Sequence, residues 1–300
     1  ASTLFGDFIT VEVWSIIILV ICLGILIKGR YNFLDKLMKV IVVTLTISTI
    51  VAVIIALINN EHNVSFSQIL PKGSIEVGFL IAFMGWMPAP LDISIWHSLW
   101  AIEKQKETKD LTVKSSLTDF NVGYAAAIII GLGFIALGAL VMFQSGETFS
   151  SKSYIFCNQL VKLYTQNLGN WSYIIIAIAA FTTMFSTTLT TLDASPRAMD
   201  RASQLLFKNS LKKGYLFWIL LLTTGTICIF FLLASEMVLL VKVATILSFL
   251  TAPFYAIINY KLISSKNTPK EWRPSITMHI LSWLGILFLF AFSIWYLTTL

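Results

Sequence analysis

Gly78-Phe-Leu-Ile-Ala-Phe-Met-Gly-Trp-Met-Pro-Ala-Pro-Leu-Asp-Ile-Ser-Ile-Trp-His-Ser-Leu-Trp100 is apolar and long enough to cross a bilayer as a helix, which takes about 20 residues. Pro88 and Pro90 interrupt it near its middle. A proline has no N–H to donate, and it disfavours helical backbone in the residue before it. The stretch therefore predicts two half-helices joined by an unwound segment near residues 87–91. Because lipid cannot satisfy free carbonyls, we expect that segment to face protein or water.

A carboxylate, Asp92, stands directly beside the predicted break. The two prolines leave the carbonyls of Met84 and Trp86 without their usual helical partners. Secondary transporters commonly build cation sites from unwound carbonyls and helix ends of this kind. A simple proline kink is the alternative, with Asp92 serving only as an acid in the first turn of the second half-helix.

The composition is that of a polytopic membrane protein. Of the 300 residues, 57% are hydrophobic and only 12% are charged, whereas soluble domains carry about 25% charged residues. Eight apolar stretches each approach the length of a membrane-spanning helix. They cover residues 8–27, 37–58, 75–102 (the broken span), 120–143, 171–189, 215–233, 237–262 and 278–297. The sequence predicts a single all-α membrane domain.

The basic residues alternate between the connections of these spans. The odd-numbered connections, with the span ends that adjoin them, hold 17 of the 21 lysines and arginines, and the even-numbered ones hold Lys72, Lys152 and Lys162. Cytoplasmic loops retain positive charge, so we expect a multi-pass protein of the cell membrane with its odd connections in the cytoplasm. The net charge of +6 then reflects topology and contact with the lipid bilayer, and we expect no nucleic-acid partner.

Two connections carry helical signals of their own. Residues 154–164 form an amphipathic pattern, typical of a helix at the outer interface or of a packed surface helix. In the fifth connection, Ser195 and Pro196 are typical of the N-cap and first residue of a separate helix, with Asp193 near its start. The chain contains no phosphate-binding loop and no nucleophile elbow, so we do not expect an enzyme.

Further polar residues lie inside the predicted spans, where they are functional candidates by default. Ser94 and His97 follow Asp92 on the second half-helix. His97 could serve proton or gate chemistry, or it could be satisfied by a neighbouring carbonyl. In the seventh span, Ser248 and Thr251 precede Pro253, and this second interrupted segment is a candidate for the opposite wall of a site.

Two motifs resemble the Nramp family of divalent-metal transporters, in particular its divergent bacterial relatives. Met87-Pro88 followed by His97-Ser98 resembles the sixth span of that family, and Thr245-Ile-Leu-Ser-Phe-Leu-Thr-Ala-Pro-Phe-Tyr-Ala resembles its tenth. The order of long and short loops is similar to that of the fourth to eleventh spans. The resemblance implies the LeuT-type fold of inverted repeats, without the first three spans and their Asp-Pro-Gly-Asn motif. We expect this sequence to begin within a longer protein.

The chain departs from the family at the metal site. Ala89 stands where the family has a histidine after Met-Pro, and aligning instead from His97 places the family's metal-binding methionine at Ala89 or Pro90. The resemblance therefore leaves Met87 and Ala89 both open as its counterpart. A site without a thioether favours a hard, partly hydrated cation such as Mg²⁺ or Mn²⁺. Asp92 would then offset the lost sulfur.

We therefore expect a secondary transporter of divalent cations (Mn²⁺, Mg²⁺ or Fe²⁺) that works by alternating access around the unwound helix. Asp92 and the backbone at Trp86, Met87 and Ala89 would face the ion. H⁺ is a candidate coupling ion, and no permanently bound cofactor is expected. One alternative is a sodium- or proton-coupled amino-acid or solute symporter of the same fold. The other is a non-transporting membrane scaffold in which the break is only a kink.

Overall fold

The computed structural model describes residues 9–28, 31–59, 67, 69–71, 73–87, 89–107, 112–143, 150, 153–207, 213–233 and 237–299. Every regular element within these ranges is helical. The α-helices are α1 Val11–Lys28, α2 Tyr31–Ile58, α3 Ser74–Trp86, α4 Ile93–Glu107, α5 Val113–Leu137, α6 Ser153–Leu168, α7 Ser172–Leu206, α8 Gly214–Leu233, α9 Met237–Ile263 and α10 Ile276–Thr299. A π-helical turn, Gly138–Met142, continues α5, and a 3₁₀ turn, Lys270–Trp272, precedes α10.

Seven helices in the described part of the chain are long and apolar enough to cross a membrane. They are α1, α2, α5, α7, α8, α9 and α10. Helix α3 is also apolar but has only 13 residues, which is short of the roughly 20 that a crossing requires. Helices α3 and α4 together therefore take the place of one span, in two pieces.

The interruption between α3 and α4 is local and has a chemical cause. Helix α3 ends at Trp86, and Met87 has extended backbone with φ −112° and ψ 129°. This conformation is the one that a residue before a proline prefers. Pro88 itself lies outside the described residues, whereas Ala89 and Pro90 are non-helical and α4 begins at Ile93.

One helix contradicts the sequence-based expectation. Ser195 and Pro196 do not begin a separate helix, because α7 runs unbroken from Ser172 to Leu206 with Pro196 inside it. Pro196 removes only the hydrogen bond to the carbonyl four residues earlier, and its ring is fully buried. Packing of α7 along α8 thus outweighs a local start signal.

Several helices also extend beyond the apolar stretches. Helix α5 begins at Val113, where Thr112 and Ser115 form a reciprocal capping box. Asp119 lies in the second turn of α5, and its Oδ2 pairs with Lys104 Nζ at 2.8 Å. A hydropathy pattern detects only the part of a helix that lies in the hydrocarbon core of the bilayer, so it misses the polar turns that continue into water.

The chain divides into two compact units, Ala1–Val64 with Trp96–Met237 and Ser65–Ile95 with Val238–Leu300. Among its described residues, the first unit has one apolar cluster around Tyr164 and Leu140 and another around Cys22 and Leu189. The second unit packs α3 against α9 and α10. Its cluster consists of Val77, Ile81, Phe249 and Tyr296.

Candidate functional site

The break leaves backbone carbonyls available at the end of α3. Met87 N–H donates to the Phe83 carbonyl at 3.0 Å, which completes the last turn of that helix. In a continuous helix the Met84 and Trp86 carbonyls would accept hydrogen bonds from residues 88 and 90. Both of these residues are prolines in the sequence and have no N–H to donate. Together the two carbonyls form the negative end of the α3 dipole, so this end of the helix attracts a cation.

The first turn of α4 uses the carbonyls that follow. Ile93, Ser94 and Ile95 donate their N–H groups to the carbonyls of Pro90, Leu91 and Asp92, at 3.2, 3.2 and 3.0 Å. These acceptors are already engaged in the helix. The carbonyls that remain for a ligand therefore come mainly from α3 and from the unwound residues Met87 and Ala89, both of which are half-buried.

The Asp92 side chain is the least satisfied acidic group of the site. Its Oδ1 atom is buried and has no hydrogen-bond partner in the described part of the chain. Leaving a buried acceptor unpaired costs about 1–3 kcal/mol, and more for a charged group. Such an atom calls for an explanation, and an ion or an ordered water is the usual one.

Helix α9 holds both sides of the break. The Trp86 indole Nε1 donates to Ser248 Oγ at 3.2 Å, and the Asn259 amide Nδ2 donates to Ser94 Oγ at 3.0 Å. Ser248 and Asn259 lie eleven residues apart on α9, a rise of about 16 Å. The end of α3 and the start of α4 are thus both hydrogen-bonded to one continuous helix, α9. These two bonds fix the distance between the two half-helices.

A glycine lets α3 approach α9 closely at the same level. A Cβ on Gly85 would overlap the Thr245 carbonyl oxygen and lie 2.9 Å from the Thr245 carbonyl carbon. It would also lie 3.4 Å from the Phe249 amide nitrogen. Pro253, inside α9, deprives the Phe249 carbonyl of its helical donor. Each of the two helices that meet here therefore carries freed carbonyls.

The remaining predicted residues are placed differently. Thr251 is exposed and donates to carbonyls of its own helix, Leu247 at 2.9 Å and Ser248 at 3.1 Å. His97 packs edge-to-face against Phe120, with ring centroids 5.6 Å apart. The structure thus brings Ser94 and Ser248 to the two sides of the break, and it gives Thr251 and His97 other neighbours.

Apart from the Met87 sulfur, the atoms at the break that could bind a cation are oxygens. A carboxylate, backbone carbonyls and hydroxyls suit hard cations such as Mg²⁺ and Mn²⁺. The described residues contain no group of three or more His, Cys, Asp and Glu side chains that could hold a metal ion. Carbonyls or water would have to complete the coordination shell beside Asp92.

Two residues of the site were missed by sequence reasoning. Asn259 lies near the end of an apolar span, where a lone amide is unremarkable without its partner. Gly85 is one of 15 glycines and carries no sign of which helix it faces. No small-residue spacing of the kind that permits close helix approach marks Gly85, because the residue one turn earlier in α3 is Ile81.

The family comparison agrees with this architecture. A family model described as natural resistance-associated macrophage protein-like (Nramp) matches residues 1–299. A similar protein is an uncharacterized protein of Pasteurella multocida (strain Pm70), 34% identical over 292 residues. That match covers 95% of this chain and 66% of the relative, so the chain spans about two thirds of the length of the curated relative. Nramp proteins are membrane transporters of LeuT-type fold and are not enzymes. With a match over nearly every residue and a helical membrane architecture, this chain belongs to the Nramp family.

Proposed function

We propose that the protein is a secondary transporter of divalent cations, and that the cation binds beside the break between α3 and α4. The observation that carries the proposal is the buried Asp92 Oδ1 atom, which has no partner among the described residues. It stands where the chain also frees the carbonyls of Met84 and Trp86. A cation would compensate the carboxylate and accept the carbonyls as ligands.

The donor set favours hard divalent cations, Mg²⁺ or Mn²⁺, over softer ones. Oxygen ligands hold these ions well, whereas a thioether selects softer transition metals. Met87 could add such a sulfur from the unwound segment, and Fe²⁺ would then bind as well. We propose H⁺ as the coupling ion, so that an inward proton gradient would drive uptake.

The site gives less support to the two alternatives. An amino-acid symporter would use the positive N-terminus of α4 for the substrate carboxylate, but Asp92 stands there and would repel it. A scaffold would gain nothing from a buried carboxylate oxygen without a partner, because that oxygen destabilises the fold. Both alternatives also lack a role for the carbonyls freed at the break.

Uptake into proteoliposomes by the full-length protein tests the proposal. We expect Asp92→Asn to lower the initial rate of Mn²⁺ uptake at least tenfold, because the amide keeps the shape but not the charge. Asp119→Asn is the matched control, since Asp119 forms an exposed ion pair with Lys104 outside the site. We expect Asp119→Asn to transport at close to the wild-type rate.

Calorimetric titration of the purified protein with Mg²⁺, Mn²⁺ and Cd²⁺ separates the cation classes. Binding of Mg²⁺ and Mn²⁺ that disappears in Asp92→Asn is the expected outcome. Wild-type uptake by Asp92→Asn would refute the role of Asp92. Much tighter binding of Cd²⁺ than of Mn²⁺ would instead point to a sulfur ligand, with Met87 as its source.

A further inference from the structure

A second buried carboxylate, Asp193, ties three helices of the first unit together. The Asp193 side chain of α7 is 1% exposed. Its Oδ2 accepts a hydrogen bond from Trp100 Nε1 of α4 at 2.8 Å. Its Oδ1 accepts from the Tyr215 hydroxyl of α8 at 3.0 Å. Arg197, one turn further along α7, donates from Nε to both oxygens at 2.9 Å. We call these four residues the Asp193 cluster.

The Asp193 cluster has a second connection to α4. The Arg197 guanidinium lies over the Tyr215 ring, 5.1 Å from its centroid, and Arg197 Nη1 lies 3.8 Å from Glu103 Oε1 of α4. A cavity of about 160 Å³ adjoins the cluster, lined by Leu99, Ile102 and Glu103 of α4 together with Arg197 and Tyr215. One side of this cavity is therefore the α4 helix that the cluster holds.

Stability alone is a poor reason for this arrangement. Replacing a buried ion pair by apolar residues of similar volume is often neutral or stabilising, and the best-attested use of such a pair is to select one arrangement over another. Here the arrangement selected is the position of α4. That helix is the second half of the broken span, and the chain passes along it from one compact unit to the other between Ile95 and Trp96.

We propose that Asp193 is a positioning residue of the transport cycle. Its carboxylate latches the part of α4 after Trp96 to α7 and α8 through the Trp100 indole. The cavity beside Arg197 already reaches the surface past Arg201 and Gln204, on the side that the basic connections place in the cytoplasm. The latch must release before the α4 side of this cavity can move away from α7 and widen it. Asp193 touches no transported ion in this proposal. The expected effect of Asp193 on cation uptake rests on the proposed transport function, whereas its effect on the position of α4 does not.

A matched pair of substitutions isolates the latch. Trp100→Phe removes the hydrogen bond from α4 to Asp193, and Tyr215→Phe removes a hydrogen bond to the same carboxylate from α8. The readout is the rate at which a membrane-impermeant maleimide, added on the cytoplasmic side, labels a cysteine placed at Leu99. Cys157 and Cys228 are replaced by serine in every variant to remove their background.

Trp100→Phe is expected to raise the labelling rate at least tenfold, the factor that corresponds to losing a hydrogen bond to a charged acceptor. Tyr215→Phe is expected to change it less than threefold, although both variants lose one bond to Asp193. Trp96→Phe controls for the smaller ring on the same helix. Asp193→Asn, which weakens the acceptor without changing its shape, is expected to raise labelling as Trp100→Phe does.

The labelling experiment needs no cation, so its outcome is separate from the cation proposal. The proposed latch would be refuted if Trp100→Phe and Tyr215→Phe were labelled at equal rates. It would also be refuted if both Trp100→Phe and Asp193→Asn were labelled at the wild-type rate. In Mn²⁺ uptake, Trp100→Phe is expected to change the maximal rate severalfold at unchanged KM, whereas a merely structural residue would lower only the amount of folded protein. Wild-type uptake kinetics with faster labelling would also overturn the role in transport.

Discussion

Replacing Gly85 by alanine will force α3 away from α9. The new Cβ would overlap the Thr245 carbonyl oxygen and lie 2.9 Å from the Thr245 carbonyl carbon. Real Cβ atoms do not approach other heavy atoms below 3.0 Å, and the obstacle here is helix backbone that has no rotamer to change. One helix must therefore shift by roughly 1 Å, a typical overpacking strain that costs about 1–3 kcal/mol.

A second glycine of the same unit provides the control. Gly285 lies in α10 with nothing within 4 Å of the position that a Cβ would occupy. Alanine there adds no clash and improves helix propensity by up to about 1 kcal/mol. Because Gly85 is helical as well, the same propensity gain applies there, and the two variants are expected to differ by the overpacking strain, about 1–3 kcal/mol.

The assay is thermal unfolding of the purified protein in detergent, followed by Mn²⁺ titration. We expect Gly85→Ala to melt several degrees below the wild type and Gly285→Ala to melt at or above it. Mn²⁺ binding should also weaken in Gly85→Ala, because a shift of α3 moves the Met84 and Trp86 carbonyls. If Gly85→Ala were as stable as Gly285→Ala, the close contact between α3 and α9 would be wrong.

Two further variants, with a control, test the break and its hydrogen bond to α9. The double change Pro88→Ala with Pro90→Ala restores two N–H donors, so the helix should continue through the break. The Mn²⁺ affinity measured by calorimetry should then fall at least tenfold. An undiminished affinity would show that the freed carbonyls are not ligands. Asn259→Ala removes the hydrogen bond to Ser94 Oγ and should lower Mn²⁺ affinity severalfold, since a neutral hydrogen bond contributes about 1 kcal/mol. Thr251→Val, which alters only bonds within α9, should leave the affinity unchanged, and an equal loss in both variants would argue against a specific role for Asn259.

The Asp193 cluster illustrates how local patterns mislead. Asp193 and Arg197 have the spacing of an ion pair on one helical face, but Ser195 and Pro196 between them are typical of a helix start. The prediction of a separate helix is wrong because α7 continues through Pro196. The four-residue spacing alone predicts both residues on one helical face. It does not reveal Trp100 or Tyr215, which come from other helices.

Chemistry that acts within a few residues can be predicted from the amino-acid sequence. The length of the apolar stretches predicts an all-α membrane protein. The missing N–H groups of Pro88 and Pro90 predict the break in one span, and the sequence places a carboxylate, Asp92, beside it. The contacts between groups that are distant in the chain depend on the packing of the helices. The Trp86–Ser248 and Ser94–Asn259 hydrogen bonds span 162 and 165 residues of chain. Such pairs depend on how whole helices pack, and no short pattern encodes a helix's neighbour.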